Sequence, residues 1–237
     1  MRTSERRQLK QDRFAETTKE TISWAVGHGT TLVWTLAIAA VAGAVVLGSW
    51  WYWNHRNQQA NAALGRAMET YNAPLRPPNT PSSGDEISFP TALERARAAR
   101  DQFNQVASQY GHTNPGRVAR YMAALTTVDM GDNQSGEQQL QQVVAAGDPE
   151  LSSLARLALA GVYRNTHRDK DALDTYQDLV SHPTVTVSKP MAQLQLASFY
   201  EATKQNSEAA KLYQEIAKEN PGTTAASLAR QHMQTGK

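Results

Sequence analysis

The side chains best suited to chemistry are either scattered or placed where a plainer role accounts for them. Asp169, Asp171, Asp174 and Asp178 fall close together, and the last three share one face at helical spacing. Such a face could hold calcium or a basic partner. Acidic residues near a helix start are also stabilised by the helix dipole, which accounts for them without a ligand. The six histidines, at 28, 55, 112, 167, 182 and 232, show no ligand spacing of the H-E-x-x-H kind. Cysteine is absent, which excludes disulfides, thiol nucleophiles, Cys-ligated zinc and a lipid-bearing cysteine. No G-x-S-x-G, phosphate loop or dinucleotide fingerprint occurs. Asn133-Gln134-Ser135 fits a glycosylation sequon and reads as coincidence. The chain is expected to hold no catalytic residue, metal or cofactor, and so not to be an enzyme.

What the sequence does declare is a membrane span. No Asp, Glu, Lys or Arg lies between Glu20 and Arg56. Residues 31–49, TLVWTLAIAAVAGAVVLGS, would cover roughly 28 Å as a helix, against a hydrocarbon core of about 30 Å. Leu32, Val33, Leu36, Ile38, Val41, Val45, Val46 and Leu47 each favour insertion by roughly 0.3–0.6 kcal/mol. A transmembrane helix over residues 31–53, in contact with the lipid bilayer, is expected. Trp50, Trp51, Tyr52 and Trp53 suit an interfacial belt on one side, and Trp24 and Trp34 suit the other. They are too large for the small-residue cleavage site of a signal peptide. Ala40, Ala44 and Gly48 have small-xxx-small spacing, which a run so rich in Ala and Gly also produces by composition.

Residues 1–30 form a tail containing Arg2, Arg6, Arg7, Lys10, Arg13 and Lys19. The positive-inside rule puts this tail in the cytoplasm and residues 54–237 on the other side. That larger part carries 18 basic and 18 acidic residues. It is neutral, which argues against nucleic acid as a partner.

Beyond the span, Ala60, Ala63, Leu64, Ala67, Met68 and Tyr71 make one apolar helical stripe. Residues 73–90 follow, with Pro74, Pro77, Pro78, Pro81 and Pro90 among Asn, Ser and Gly; this composition reads as a mobile loop. A second stripe runs through Ala92, Leu93, Ala96, Ala99, Phe103, Val106, Ala107 and Tyr110, with Gly111 and Pro115 as stop signals.

The remainder repeats. Ala123, Thr127, Gly136 and Leu140 align with Leu159, Tyr163, Ala172 and Tyr176 at an offset of 36, and these with Leu196, Tyr200, Ala209 and Tyr213 at 37. Each unit has a stripe, a polar break, a second stripe and then Pro149, Pro183 or Pro221. A large residue ending one helix, a small one early in the next and a Leu or aromatic four later is the tetratricopeptide-type layout. The fold class expected is all-α: one N-terminal transmembrane helix followed by a tetratricopeptide-like stack of hairpins. These fall at about 54–110, 115–146, 150–182 and 187–220, with a capping helix at about 222–234. The helix over residues 151–163 is apolar on almost every side and should be the most buried.

Gly131-Asp132, Asp148-Pro149-Glu150-Leu151, Ala155-Arg156-Leu157-Ala158-Leu159-Ala160 and Ala172-Leu173 resemble the ancillary SecYEG translocon subunit family (YfgM-like) over residues 10–180. The sequence departs from that pattern at Asn165-Thr166-His167-Arg168, where Gly-Asp is expected, and in the generic Glu219-Asn220-Pro221-Gly222 ending. The resemblance implies a bacterial inner-membrane protein with residues 54–237 as a periplasmic scaffold, and SecYEG or a periplasmic chaperone as partner. The alternative is an envelope scaffold for another complex, in cell division or polymer export.

Tetratricopeptide stacks bind extended segments on the concave face of their first helices. Repeat alignment places Tyr121, Leu125, Val128, Leu157, Gly161, Arg164, Leu194, Ser198 and Glu201 there. Arg164 and Glu201 stand out, each following a packing Tyr and able to offer a charge.

Overall fold

A computed structural model describes residues 29–76 and 87–235. The expectations for the basic tail and for the middle of the proline-rich stretch fall outside these residues. The described chain is helical: α1 (Gly29–Tyr71), α2 (Ala92–Tyr110), α3 (Asn114–Asp129), α4 (Asn133–Ala145), α5 (Pro149–Asn165), α6 (Asp169–Ser181), α7 (Lys189–Ala202), α8 (Asn206–Glu219) and α9 (Thr224–Thr235). It forms two compact units, Met1–His55 and Arg56–Lys237.

In the first unit, Val33, Trp34, Ile38, Val41, Val45, Val46, Leu47, Trp50 and Trp51 of α1 are all exposed. Among the described residues this is the one helix long and apolar enough to cross a membrane. Trp51 stacks on His55 at 5.6 Å.

The second unit is built on one pattern used four times. The second helix of each hairpin buries a trio at i, i+4 and i+7: Ala99, Phe103 and Val106 in α2, Gly136, Leu140 and Val143 in α4, Ala172, Tyr176 and Leu179 in α6, and Ala209, Tyr213 and Ile216 in α8. The spacing keeps all three on one face. Burying each large member contributes roughly 1.5–3 kcal/mol. The small member is small for a reason visible at Gly136: a β-carbon there would lie 2.4 Å from Val128 Cγ2. Each helix packs on the next along the chain from α2 to α9, and α3 also packs on α5 and α7 on α9. The helix expected to be most buried, α5, shares that position with α3; each holds seven buried residues.

Within hairpins two to four the chain reverses by one main-chain device. Gly131, His167 and Lys204 have φ of 87°, 58° and 61°. Their N–H groups donate to the carbonyls of Val128 (2.8 Å), Arg164 (3.2 Å) and Glu201 (3.0 Å). The next N–H groups, of Asp132, Arg168 and Gln205, donate to Thr127 (3.2 Å), Tyr163 (2.8 Å) and Tyr200 (2.8 Å). This is the Schellman motif, which satisfies the last carbonyls of the first helix. Where Gly-Asp is missing, the left-handed turn persists.

Between hairpins, Thr113 caps α3 by accepting from Gly116 N, and Asp148 caps α5 by accepting from Glu150 N and Leu151 N. Pro115 and Pro149 occupy the first turns of these helices, where no intrahelical donor is lost. The connector over residues 182–188 is longer and is stapled to α5. Thr186 N donates to Glu150 Oε2 (2.8 Å), Thr186 Oγ1 donates to Glu150 O (3.0 Å), and Ser153 Oγ meets Thr184 Oγ1 at 3.0 Å. Val187 is fully buried against Leu179 and Ala192. The described ends of the proline-rich stretch are also tied: Leu75 and Phe89 form a parallel bridge, and Arg95 donates to Ala73 O at 3.0 Å.

Candidate functional site

The face expected from repeat alignment is carried by α3, α5 and α7, the first helices of hairpins two to four. Tyr121, Leu125 and Val128, then Leu157, Gly161 and Arg164, then Leu194, Ser198 and Glu201 each stand at i, i+4 and i+7. All nine are half-buried. Tyr121, Leu125 and Val128 rest on the core shared by α3, α4 and α5. Leu157 rests on the cores joining hairpins three and four, and Leu194 on the core that includes α9. These side chains divide themselves between core and solvent. Burial pushes the Tyr121 hydroxyl up to about 12, with Tyr71 adding to the shift.

The Schellman turns set the last residue of each row. Val128, Arg164 and Glu201 give their carbonyls to the turn, which fixes the backbone from which their side chains leave. The Arg164 side chain makes no hydrogen bond or ion pair among the described residues. Its charge works against burial at Tyr176, where burial dominates and raises the hydroxyl. Glu201 is engaged. It accepts from Tyr213 Oη at 3.0 Å and meets His232 Nδ1 at 3.4 Å, and the Tyr213 and His232 rings stack at 4.9 Å. Burial first, and Glu201 second, push the Tyr213 hydroxyl up. This cluster lines a cleft of about 660 Å³ with Arg230 and Met233.

Two of the three carboxylates on the acidic face of α6 are paired. Asp174 meets Lys170 at 2.9 Å, while Asp178 meets Arg156 at 2.9 Å and His182 at 3.0 Å. Among the described residues no three potential metal ligands come together.

Repeated hairpins of one geometry, with a small residue and a large one four apart in each second helix, decide the family. The sequence matches the tetratricopeptide repeat-like domain over residues 23–183. The chain belongs to the tetratricopeptide repeat-like domain family. A tetratricopeptide repeat also matches residues 191–223. Two crystal structures of Podosopora anserina putative kinesin light chain nearly identical TPR-like repeats, one with a single substitution, share its fold. Both are 15% identical; they cover 77% and 76% of this chain and 88% of their own, with TM-scores of 0.54 and 0.53. Among curated proteins, no sequence matches.

Two features of this tetratricopeptide stack escape repeat alignment. Tyr71 donates to Asp129 Oδ2 at 2.9 Å, joining the end of α1 to the end of α3. The spacing between them, set by a proline-rich insertion, hides the pair. Counting 34 residues on from Leu194 and Ser198 reaches Leu228 and His232 on α9, so the rows continue onto the cap. The cap follows a shorter period than the two preceding offsets, and only that shorter count would reveal them.

Proposed function

We propose that this tetratricopeptide chain is a membrane-anchored scaffold that holds an extended protein segment along α3, α5 and α7. The observation supporting it most is the set of half-buried rows on three successive first helices, each opening on Tyr or Leu, with the Arg164 guanidinium in no ion pair among the described residues. Tetratricopeptide stacks are typically interaction scaffolds, and the proposed work is holding, not catalysis. Residues 31–53 would be the anchor, 1–30 the cytoplasmic tail and 54–237 a periplasmic domain. The finer reading is a role beside the Sec translocon and periplasmic chaperones. It rests on the resemblance carried by Gly131-Asp132 and Asp148-Pro149-Glu150-Leu151.

A photo-crosslinking residue at Arg164, used in native membranes with mass spectrometry, tests both levels. Capture of SecY, SecG or a periplasmic foldase supports the translocon reading. Capture of cell-division or polymer-export proteins keeps the binding face and discards that reading. With the crosslinking residue moved to Leu157, the face itself is wrong if Arg164→Ala combined with Glu201→Ala leaves capture unchanged.

A further inference from the structure

Residues 56–237 expose six large hydrophobic side chains among those described: Leu75, Ile87, Leu93, Val185, Met191 and Leu228. Three of them gather where the proline-rich connection leaves α1 and enters α2. Leu75 and Ile87 are each 48% exposed and Leu93 43%. The remaining connection, PPNTPSSGDE over residues 77–86, offers no aliphatic side chain other than proline to cover them.

The backbone here is unusual for a helical repeat. In the parallel bridge, Phe89 N donates to Pro74 O at 3.1 Å and Arg76 N donates to Phe89 O at 2.9 Å. Phe89 therefore uses both its main-chain groups on residues 74 and 76. By the geometry of a parallel ladder, the N–H and C=O of Leu75 face the opposite edge. Neither has a hydrogen-bond partner among the described residues. Bridge partners project to the same side, and Ile87, two residues before Phe89, shares it. Leu93 follows in the first turn of α2. Ile87 also borders a cleft of about 350 Å³ on hairpin one, beside Gln102 and Gln105.

We propose that this bridge is a docking edge for an extended apolar polypeptide segment, which pairs with Leu75 and lays its side chains on Leu75, Ile87 and Leu93. A donor and an acceptor on one strand edge are matched by another main chain, the strand-addition mode of peptide recognition. Acyl chains offer nothing to the Leu75 amide groups, and covering them with lipid would leave both unsatisfied. On the outward edge, Ala73 already donates to Thr70 O and accepts from Arg95, and Pro77 has no N–H, so pairing is confined to the two bonds of Leu75. Binding at this edge is brief and tolerant of sequence, and the edge is protected from templating aggregates. Its residues differ from those of the α3, α5 and α7 face, and it stands or falls without that face.

The test uses the full chain in nanodiscs of phosphatidylethanolamine and phosphatidylglycerol. Photo-crosslinking residues are placed at Leu75, at Leu93 and, as an exposed control, at Val185. The probe is a reduced, carboxymethylated polypeptide that cannot fold, compared with its native form. The expected result is labelling of the unfolded form at Leu75 and Leu93, well above both the Val185 control and the native form. Leu75→Pro removes the outward N–H but keeps the bridge bonds and an apolar side chain. With the probe residue at Leu93 it should lower capture about fivefold, the worth of one net hydrogen bond. Leu75→Asp with Ile87→Asp and Leu93→Asp should abolish competition for the probe, with circular dichroism unchanged because all three side chains lie at the surface. Equal labelling at Val185, transfer of the label to lipid, or undiminished competition by the triple variant overturns the proposal.

Discussion

His167 and Lys204 hold φ of 58° and 61°, where the matching turn of hairpin two has Gly131 at 87°. A β-carbon in this region costs about 1–2 kcal/mol. His167→Gly and Lys204→Gly are each expected to stabilise the fold by about 1 kcal/mol, raising Tm by about 2–4 °C in a thermal melt. The 36- and 37-residue offsets put these three positions in register, so the turn was legible in the sequence. That it would stay left-handed without glycine was not, because the two Schellman bonds that enforce it belong to the folded backbone. Two carboxylates give a pH dependence. Asp132 is held below its ordinary range by the Ser135 N–H, and Glu150 by the Thr186 N–H. Their contribution is whole above the unfolded values of about 4 and is lost as pH falls through the lower folded values. Protection of the Ser135 and Thr186 amides from hydrogen exchange, taken relative to the intrinsic rate at each pH, should fall over that acid window, and Glu150→Ala should lower it at Thr186 at neutral pH.

At the scale of elements, two glycines within helices predict opposite outcomes. A β-carbon on Gly116 would lie 1.9 Å from Tyr110 O, so the end of α2 and the start of α3 touch through their backbones. Gly116→Ala is expected to cost about 3 kcal/mol, read as a lower denaturant midpoint. A β-carbon on Gly161 meets nothing within 4 Å. Gly161→Ala should instead stabilise α5 by roughly 0.5–1 kcal/mol. Gly111 was the residue whose type suggested a helix stop, yet its φ is −55°. It nonetheless caps α2 as expected, and a β-carbon there would lie 2.7 Å from Ala107 O; the need at Gly116, five positions later, comes from a close approach that no local pattern encodes. The same holds for the connector before α7. Its β-branched run is too short for a strand, and only the packing reveals Val187 as a buried plug beneath an exposed Val185. By contrast, the trio of α2 and the small and large members of the trios in α4, α6 and α8 were plain from spacing, since burial on one helix face repeats every three to four residues; Val143, Leu179 and Ile216 complete those trios in the structure.

In the whole molecule, stability is shared between neighbouring hairpins, as in repeat arrays generally. α9 covers the far end by packing Ala229 and Met233 on Ala197, Ala209, Tyr213 and Ile216. Ending the chain at Asn220 should cost roughly 3 kcal/mol from that uncovered surface. Hydrogen exchange should then rise first in α7 and α8 and last in α3. The stack could be read from repeats alone. The engagement of Glu201 could not, because Tyr213 and His232 reach it from two other helices. The reversal turns carry one more implication, for inheritance. Val128, Arg164 and Glu201 supply the same carbonyl to the same turn with an aliphatic, a cationic and an anionic side chain. Mutation at these sites would rewrite what the proposed face presents while leaving the joint intact. A lineage can therefore change these side chains one residue at a time, or copy a hairpin whole, without passing through an unfolded ancestor.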